Sequence, residues 1–144
     1  MGMDISTLSE ILSDGITISQ LYDLVREEER SVPLDKKVER LLYDLMLSTN
    51  YKGHKYLKDS IIMLVNNEAD SESFARYVYP VLGQKYGVNR QSIEKNMRFA
   101  IMKIYEQNTE ENLLRLLGKP ALCSPRPTNA KFVSICAAKL RLER

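Results

Sequence analysis

The sequence predicts an all-α protein, a compact bundle of about six helices that contains a helix-turn-helix and follows a short helical N-terminal extension. Three observations lead there. Apolar residues recur at helical spacing in nearly every segment, and no stretch alternates as a strand would. Gly, Pro and Asn separate the apolar runs at short intervals. Leu82 to Met97 carries the chemistry of a tight turn between two helices. Gly87 supplies a residue that tolerates φ > 0. Gly83 is small enough for a second helix to pack closely. Tyr86 and Val88 flank the corner and are expected to close it hydrophobically.

Taken in order, Ile5, Leu8, Ile11 and Leu12 mark a first helix that ends near Asp14-Gly15. Ile18, Leu21, Tyr22 and Val25 mark a second, with Thr17 or Ser19 as its cap. Pro33 then punctuates the chain. Leu34, Val38, Leu41, Leu42 and Leu45 give an amphipathic third helix ending near Ser48-Thr49-Asn50. Tyr56, Leu57, Ile61, Leu64 and Val65 give a fourth, closed by Asn66-Asn67. Phe74, Tyr77, Val78, Val81 and Leu82 give a fifth, capped by Asp70 or Ser71 and kinked or restarted at Pro80.

Asn89 caps the sixth helix, from about Arg90 to Glu106, which turns Ile93, Met97, Ala100, Ile101 and Ile104 inward. Asn112 to Leu117 is a short seventh, stopped by Gly118. Thr128 or Asn129 caps the last, with Phe132, Val133, Ile135, Cys136 and Leu140 on its buried side. The expected organisation is an acidic extension over residues 1–33, a candidate dimerisation segment, and a helix-turn-helix domain over 34–144.

Composition narrows the function. Hydrophobic residues at 44% and charged residues at 28% are ordinary for a globular domain and exclude a disordered chain. No apolar run approaches the roughly 20 residues that span a bilayer, and the N-terminus lacks the parts of a signal peptide. The expected location is the cytoplasm, with no membrane partner. Cys123 and Cys136 have no metal-ligand spacing and are expected as reduced structural thiols. With a single histidine, His54, no glycine-rich phosphate loop and no ligand cluster, the reading is not an enzyme, with no catalytic residue, cofactor or metal. His54 itself is expected at the surface.

Residues 1–34 hold two basic and seven acidic side chains, a net of −5; the other 110 hold 19 basic and 12 acidic, a net of +7. A basic body suits a polyanion. The exposed positions after the Gly87 turn, Arg90, Gln91, Ser92, Glu94, Lys95 and Arg98, are donors and acceptors suited to base edges and phosphates. Tyr51, Tyr56 and Tyr79 are further candidates for phosphate. Phe99 is either a packing residue or an apolar contact to a thymine methyl, and its neighbours favour packing.

From about Leu34 to Arg144 the chain resembles a known family, the DNA-binding effector domain of the stage-zero sporulation response regulator. The matching stretches are Lys52-Gly53 with Tyr56-Leu57, Val78-Tyr79-Pro80, Lys85-Tyr86, Ile93-Glu94, and Arg98 with Ala100-Ile101. The most specific are Pro127-Thr128-Asn129 with Phe132 and Lys139-Leu140-Arg141-Leu142-Glu143. The resemblance implies a six-helix domain that binds duplex DNA at promoter boxes. It implies recognition-helix roles at Ser92, Glu94, Lys95, Arg98 and Phe99. Glu94 and Arg98 keep the family's residues, Lys95 keeps only the charge, and Ser92 and Phe99 depart. Arg126, ahead of Pro-Thr-Asn, is implied to touch phosphate.

The family's phosphoryl-accepting receiver has no counterpart before Leu34. The expectation is therefore a receiverless, phosphorylation-independent transcriptional regulator. Its partners would be duplex DNA, a second copy through residues 1–33, and RNA polymerase. The competing reading is a helical interaction module or antagonist that has lost specific DNA binding.

Overall fold

The structure, a computed structural model, describes residue 15 and residues 17–143. The helix expected on Ile5, Leu8, Ile11 and Leu12 lies outside the described residues. The chain divides into two compact units, Met1–Pro33 and Leu34–Arg144. In the first, α1 (Ile18–Ser31) starts at a capping box. Thr17 Oγ1 accepts the Gln20 N–H at 3.1 Å, and Gln20 Oε1 accepts the Thr17 N–H at 2.9 Å. Thr17, not Ser19, is the cap.

The second unit holds α2 (Leu34–Asp44), α3 (Lys52–Val65), α4 (Phe74–Tyr86), α5 (Arg90–Gln107), α6 (Glu110–Leu117) and α7 (Asn129–Leu142), with a 3-10 turn at Lys119–Ala121. Every described element is helical. The central helix is α3, which packs against α2, α4, α5 and α7. Its buried residues Tyr56, Leu57, Ser60, Ile61, Leu64 and Val65 cover a wide arc, as a helix surrounded by others requires. The Ser60 hydroxyl, fully buried, donates to its own helix at Tyr56 C=O (2.6 Å). Leu42, Leu82, Ile93, Ile104 and Phe132 are fully buried around it. Each contributes roughly 1.5–3 kcal/mol relative to exposure.

Gly53 lets α3 approach this closely. A Cβ there would lie 2.2 Å from Asn96 O and 2.7 Å from Ala100 Cβ on α5. Side chains cannot yield to relieve the first contact, because the obstacle is backbone.

Several boundaries differ from expectation. Helix α2 stops at Asp44 because Leu45 and Leu47 are both buried. Residues two apart on a helix face different ways. The chain therefore turns through Met46 at φ 65°, and Leu47 N–H returns to Leu42 C=O at 3.0 Å. Helix α4 begins after Ser73, whose side chain caps nothing. Asp70 organises the preceding turn instead. It accepts the Ser73 N–H at 2.8 Å, and Ser73 Oγ accepts the Asp70 N–H at 3.0 Å. The Ser73 N–H, donated to the carboxylate, is the foremost cause holding the Asp70 carboxyl below its usual pKa. Pro80 neither ends nor restarts α4. The carbonyl it leaves without a helical partner, on Arg76, belongs to an exposed residue and can be solvated. Helix α6 starts at Glu110, two residues early, because Thr109 Oγ1 accepts the Asn112 N–H.

Between α6 and α7 the chain is tied to α5. The Tyr105 hydroxyl donates to Ala121 C=O at 2.7 Å, and burial pushes its pKa up to about 12. Cys123 is half-buried and Cys136 fully buried, both as free thiols, and burial pushes the Cys136 thiol well up.

Gly53→Ala should destabilise the domain by about 1–3 kcal/mol, the usual effect of overpacking, although Ala is the better helix former. Urea denaturation measures it; an unchanged or higher midpoint would refute the backbone-contact account.

Candidate nucleic-acid interface

The turn joining α4 to α5 has the predicted chemistry with two changes of role. Gly87 adopts φ 69° and closes α4 in the left-handed conformation. Val88 N–H bonds to Gly83 C=O at 3.0 Å, completing a Schellman closure. Gly83 is needed for this turn and not for a neighbouring helix, since a Cβ there would meet Val88 O at 2.8 Å. Val88 is exposed and closes nothing. Tyr86 does close the corner, packing edge-on to Tyr56 at 5.3 Å and donating its hydroxyl to Asp59 at 2.5 Å. Burial, reinforced by that carboxylate, pushes the Tyr86 pKa up. Lys85 bonds the same carboxylate at 2.9 Å, so Asp59 on α3 grips the end of α4.

Asn89 caps α5 as expected, its Oδ1 accepting the Ser92 N–H at 2.8 Å. All five residues expected inward on α5 are buried. On the opposite side Gln91, Lys95 and Arg98 are exposed at successive helical turns. Arg98 forms an ion pair with Glu94 at 2.9 Å, which pre-orients a guanidinium whose side chain is 63% exposed. Arg90 is exposed but anchored, donating to Ala75 C=O of α4 at 3.2 Å. Ser92 is half-buried, and its Oγ accepts from Asn96 Nδ2 at 3.3 Å.

Arg126 is exposed on the loop before α7. A cleft of about 430 Å³ brings it together with Glu94, Arg98, Glu72 and Thr128, between the start of α4, α5 and the start of α7. Of the seven sequence-predicted site residues, Glu94, Arg98 and Arg126 thus line one cleft. Gln91 and Lys95 stand on the outward stripe, and Arg90 and Ser92 make contacts within the domain.

Of the three tyrosines considered for phosphate, Tyr56 and Tyr79 are packing residues of the core, 2% and 8% exposed. The Tyr79 hydroxyl accepts from Asn129 Nδ2 at 3.0 Å, and burial raises its pKa. His54 is half-buried, and burial, with Lys58 adding to it, lowers its pKa. Phe99 is 43% exposed, yet packs edge-to-face on Tyr51 with ring centres 5.6 Å apart. Lys103 Nζ lies 5.3 Å from the Phe99 ring centre.

Sequence reasoning missed Asn129. Thr128 takes the cap, its Oγ1 accepting the Lys131 N–H. The buried Asn129 amide is left free to donate to Tyr79 Oη and to Glu94 C=O, both at 3.0 Å. It thereby ties α7 to α4 and α5. The signal was two cap-competent residues in succession, of which a helix can use one. Gly53 was also missed, although a lone glycine in the first turn of a helix marks a close approach.

Asn129→Ala should destabilise the domain by about 1–3 kcal/mol by leaving two acceptors without their donor. Thermal or urea denaturation measures this, and unchanged stability would refute the link.

The model of the sporulation initiation factor Spo0A C-terminal family matches residues 38–140, an interval that runs from α2 through the Gly87 turn and the outward face of α5 to the end of α7. With most of its length inside that match, the chain belongs to the Spo0A C-terminal family, a DNA-binding effector domain.

Proposed function

We propose that this chain is a sequence-specific regulator of transcription that reads duplex promoter DNA with α5 and needs no phosphoryl switch. The observation that carries the reading is the division of α5. One side is buried in the domain, and the other presents Gln91, Lys95 and Arg98 to solvent. A helix of this kind fits the B-DNA major groove. Gln offers a donor and an acceptor to an adenine edge, and Arg offers a fork to guanine. Lys95 supplies charge without that fork. Arg126, exposed on the cleft it shares with Arg98, is the phosphate contact in this reading. Ser92 stands where the resemblance implies an arginine able to grip guanine, and its short side chain shifts the box from the one the resemblance implies.

Residues 1–33 carry none of a receiver's sequence signals. Their apolar periodicity supports pairing with a second copy, which would raise the effective concentration of the second domain at tandem boxes. RNA polymerase is part of the same reading as a further partner.

Arg98→Ala should weaken binding to a selected box by about 1–3 kcal/mol, and wild-type affinity should fall steeply with salt as counterions are released. Fluorescence anisotropy on the box and on scrambled duplex measures both; affinity indifferent to Arg98 and to salt would end the reading. Acetyl phosphate should leave affinity and mass unchanged, and light scattering at high concentration should give a dimer. A phosphodonor-dependent gain in affinity would refute the first claim and a monomer the second.

A further inference from the structure

We propose that Phe99, propped by Tyr51, contacts the C5 methyl of a thymine in the major groove and so fixes one base of the bound sequence. The inference rests on the DNA-binding reading above and adds a specificity residue to it.

Phe99 follows Lys95 by four residues and Gln91 by eight, so it continues the outward stripe of α5 along the side nearer α3. It is 43% exposed, whereas the helix's inward residues are at most 2% exposed. A half-exposed phenyl ring on such a face has no donor or acceptor, so it can neither read a hydrogen-bonding edge nor hold a phosphate. The one apolar group that a base pair presents in the major groove is the thymine methyl.

The ring is also held in place. Tyr51 meets it edge-on, with the planes at 72°, and the Lys103 ammonium lies 5.3 Å from the ring centre. Tyr51 is itself fixed as the residue before α3, its N–H bonded to Ser48 C=O at 3.3 Å. Two residues later Gly53 sets α3 against the α5 backbone at Asn96, and this close approach brings the two rings together. A preoriented ring loses little rotamer freedom on binding. Exposed Lys52, Lys55 and Lys95 on the same two helices supply the positive charge that would hold the phosphates nearby.

The test uses the full chain and a box obtained by selection on random duplex DNA. Each thymine of the box is replaced singly by deoxyuridine, which pairs identically and lacks only the methyl group. At one position the replacement should weaken wild-type binding about 4-fold, the worth of one buried methylene-sized group. Phe99→Ala and Tyr51→Ala should bind thymine and deoxyuridine equally there, with the other thymines behaving as in wild type. Because the wild-type comparison needs no variant, misfolding of either variant cannot mask the result.

A box that demands thymine nowhere, a wild-type chain indifferent to every replacement, or a loss that persists in Phe99→Ala would overturn the proposal while leaving DNA reading intact. A chain that selects no box at all would overturn both.

Discussion

The contact between Gly53 and the Asn96 carbonyl sets the geometry on which the rest of the domain depends. Helix α3 has no side chain at that point, so its backbone reaches the backbone of α5. Helix crossings with ordinary side chains between them stand 8–10 Å apart, and small residues allow closer approach. Because α3 also packs on α2, α4 and α7, the position of α5 is referred through α3 to the whole core. A helix gripped in this way presents its outward side chains from a rigid base.

Two polar anchors refine that placement at either end of the helix-turn-helix. Asp59 on α3 receives both Lys85 and Tyr86, fixing the end of α4 next to the turn. Asn129 on α7 donates to Tyr79 of α4 and to the Glu94 carbonyl of α5. Both are local solutions to burial, since a polar group removed from water has to find a partner. Among the described residues no buried side-chain nitrogen or oxygen lacks one. The inner surface of α5 is apolar, so its charged residues stay toward solvent, where Arg98 and Glu94 form a pair that in water is worth little to stability. The outward stripe of Gln91, Lys95 and Arg98 can therefore change with little effect on folding.

The sequence by itself determined the helices, their buried faces and most of their caps. Those features are local. A helical face is set by residues three or four apart, and Thr17, Asn89 and Thr128 cap by reaching a backbone N–H three residues on. For the same reason the division of α5 into buried and outward sides was legible, and with it Gln91, Lys95 and Arg98. The tertiary structure decided what depends on residues far apart in the chain. Helix α2 ends where it does because Leu45 and Leu47 must both reach a core made by other helices. Tyr79, outside the apolar face predicted for α4, is buried because neighbouring helices cover that side as well. Asn129 finds partners 50 and 35 residues away, and Arg126 comes to face Arg98 only when α7 docks. Gly53 read as one glycine in a helix; its role exists only against Asn96, because a missing side chain acquires meaning from the backbone that fills its place.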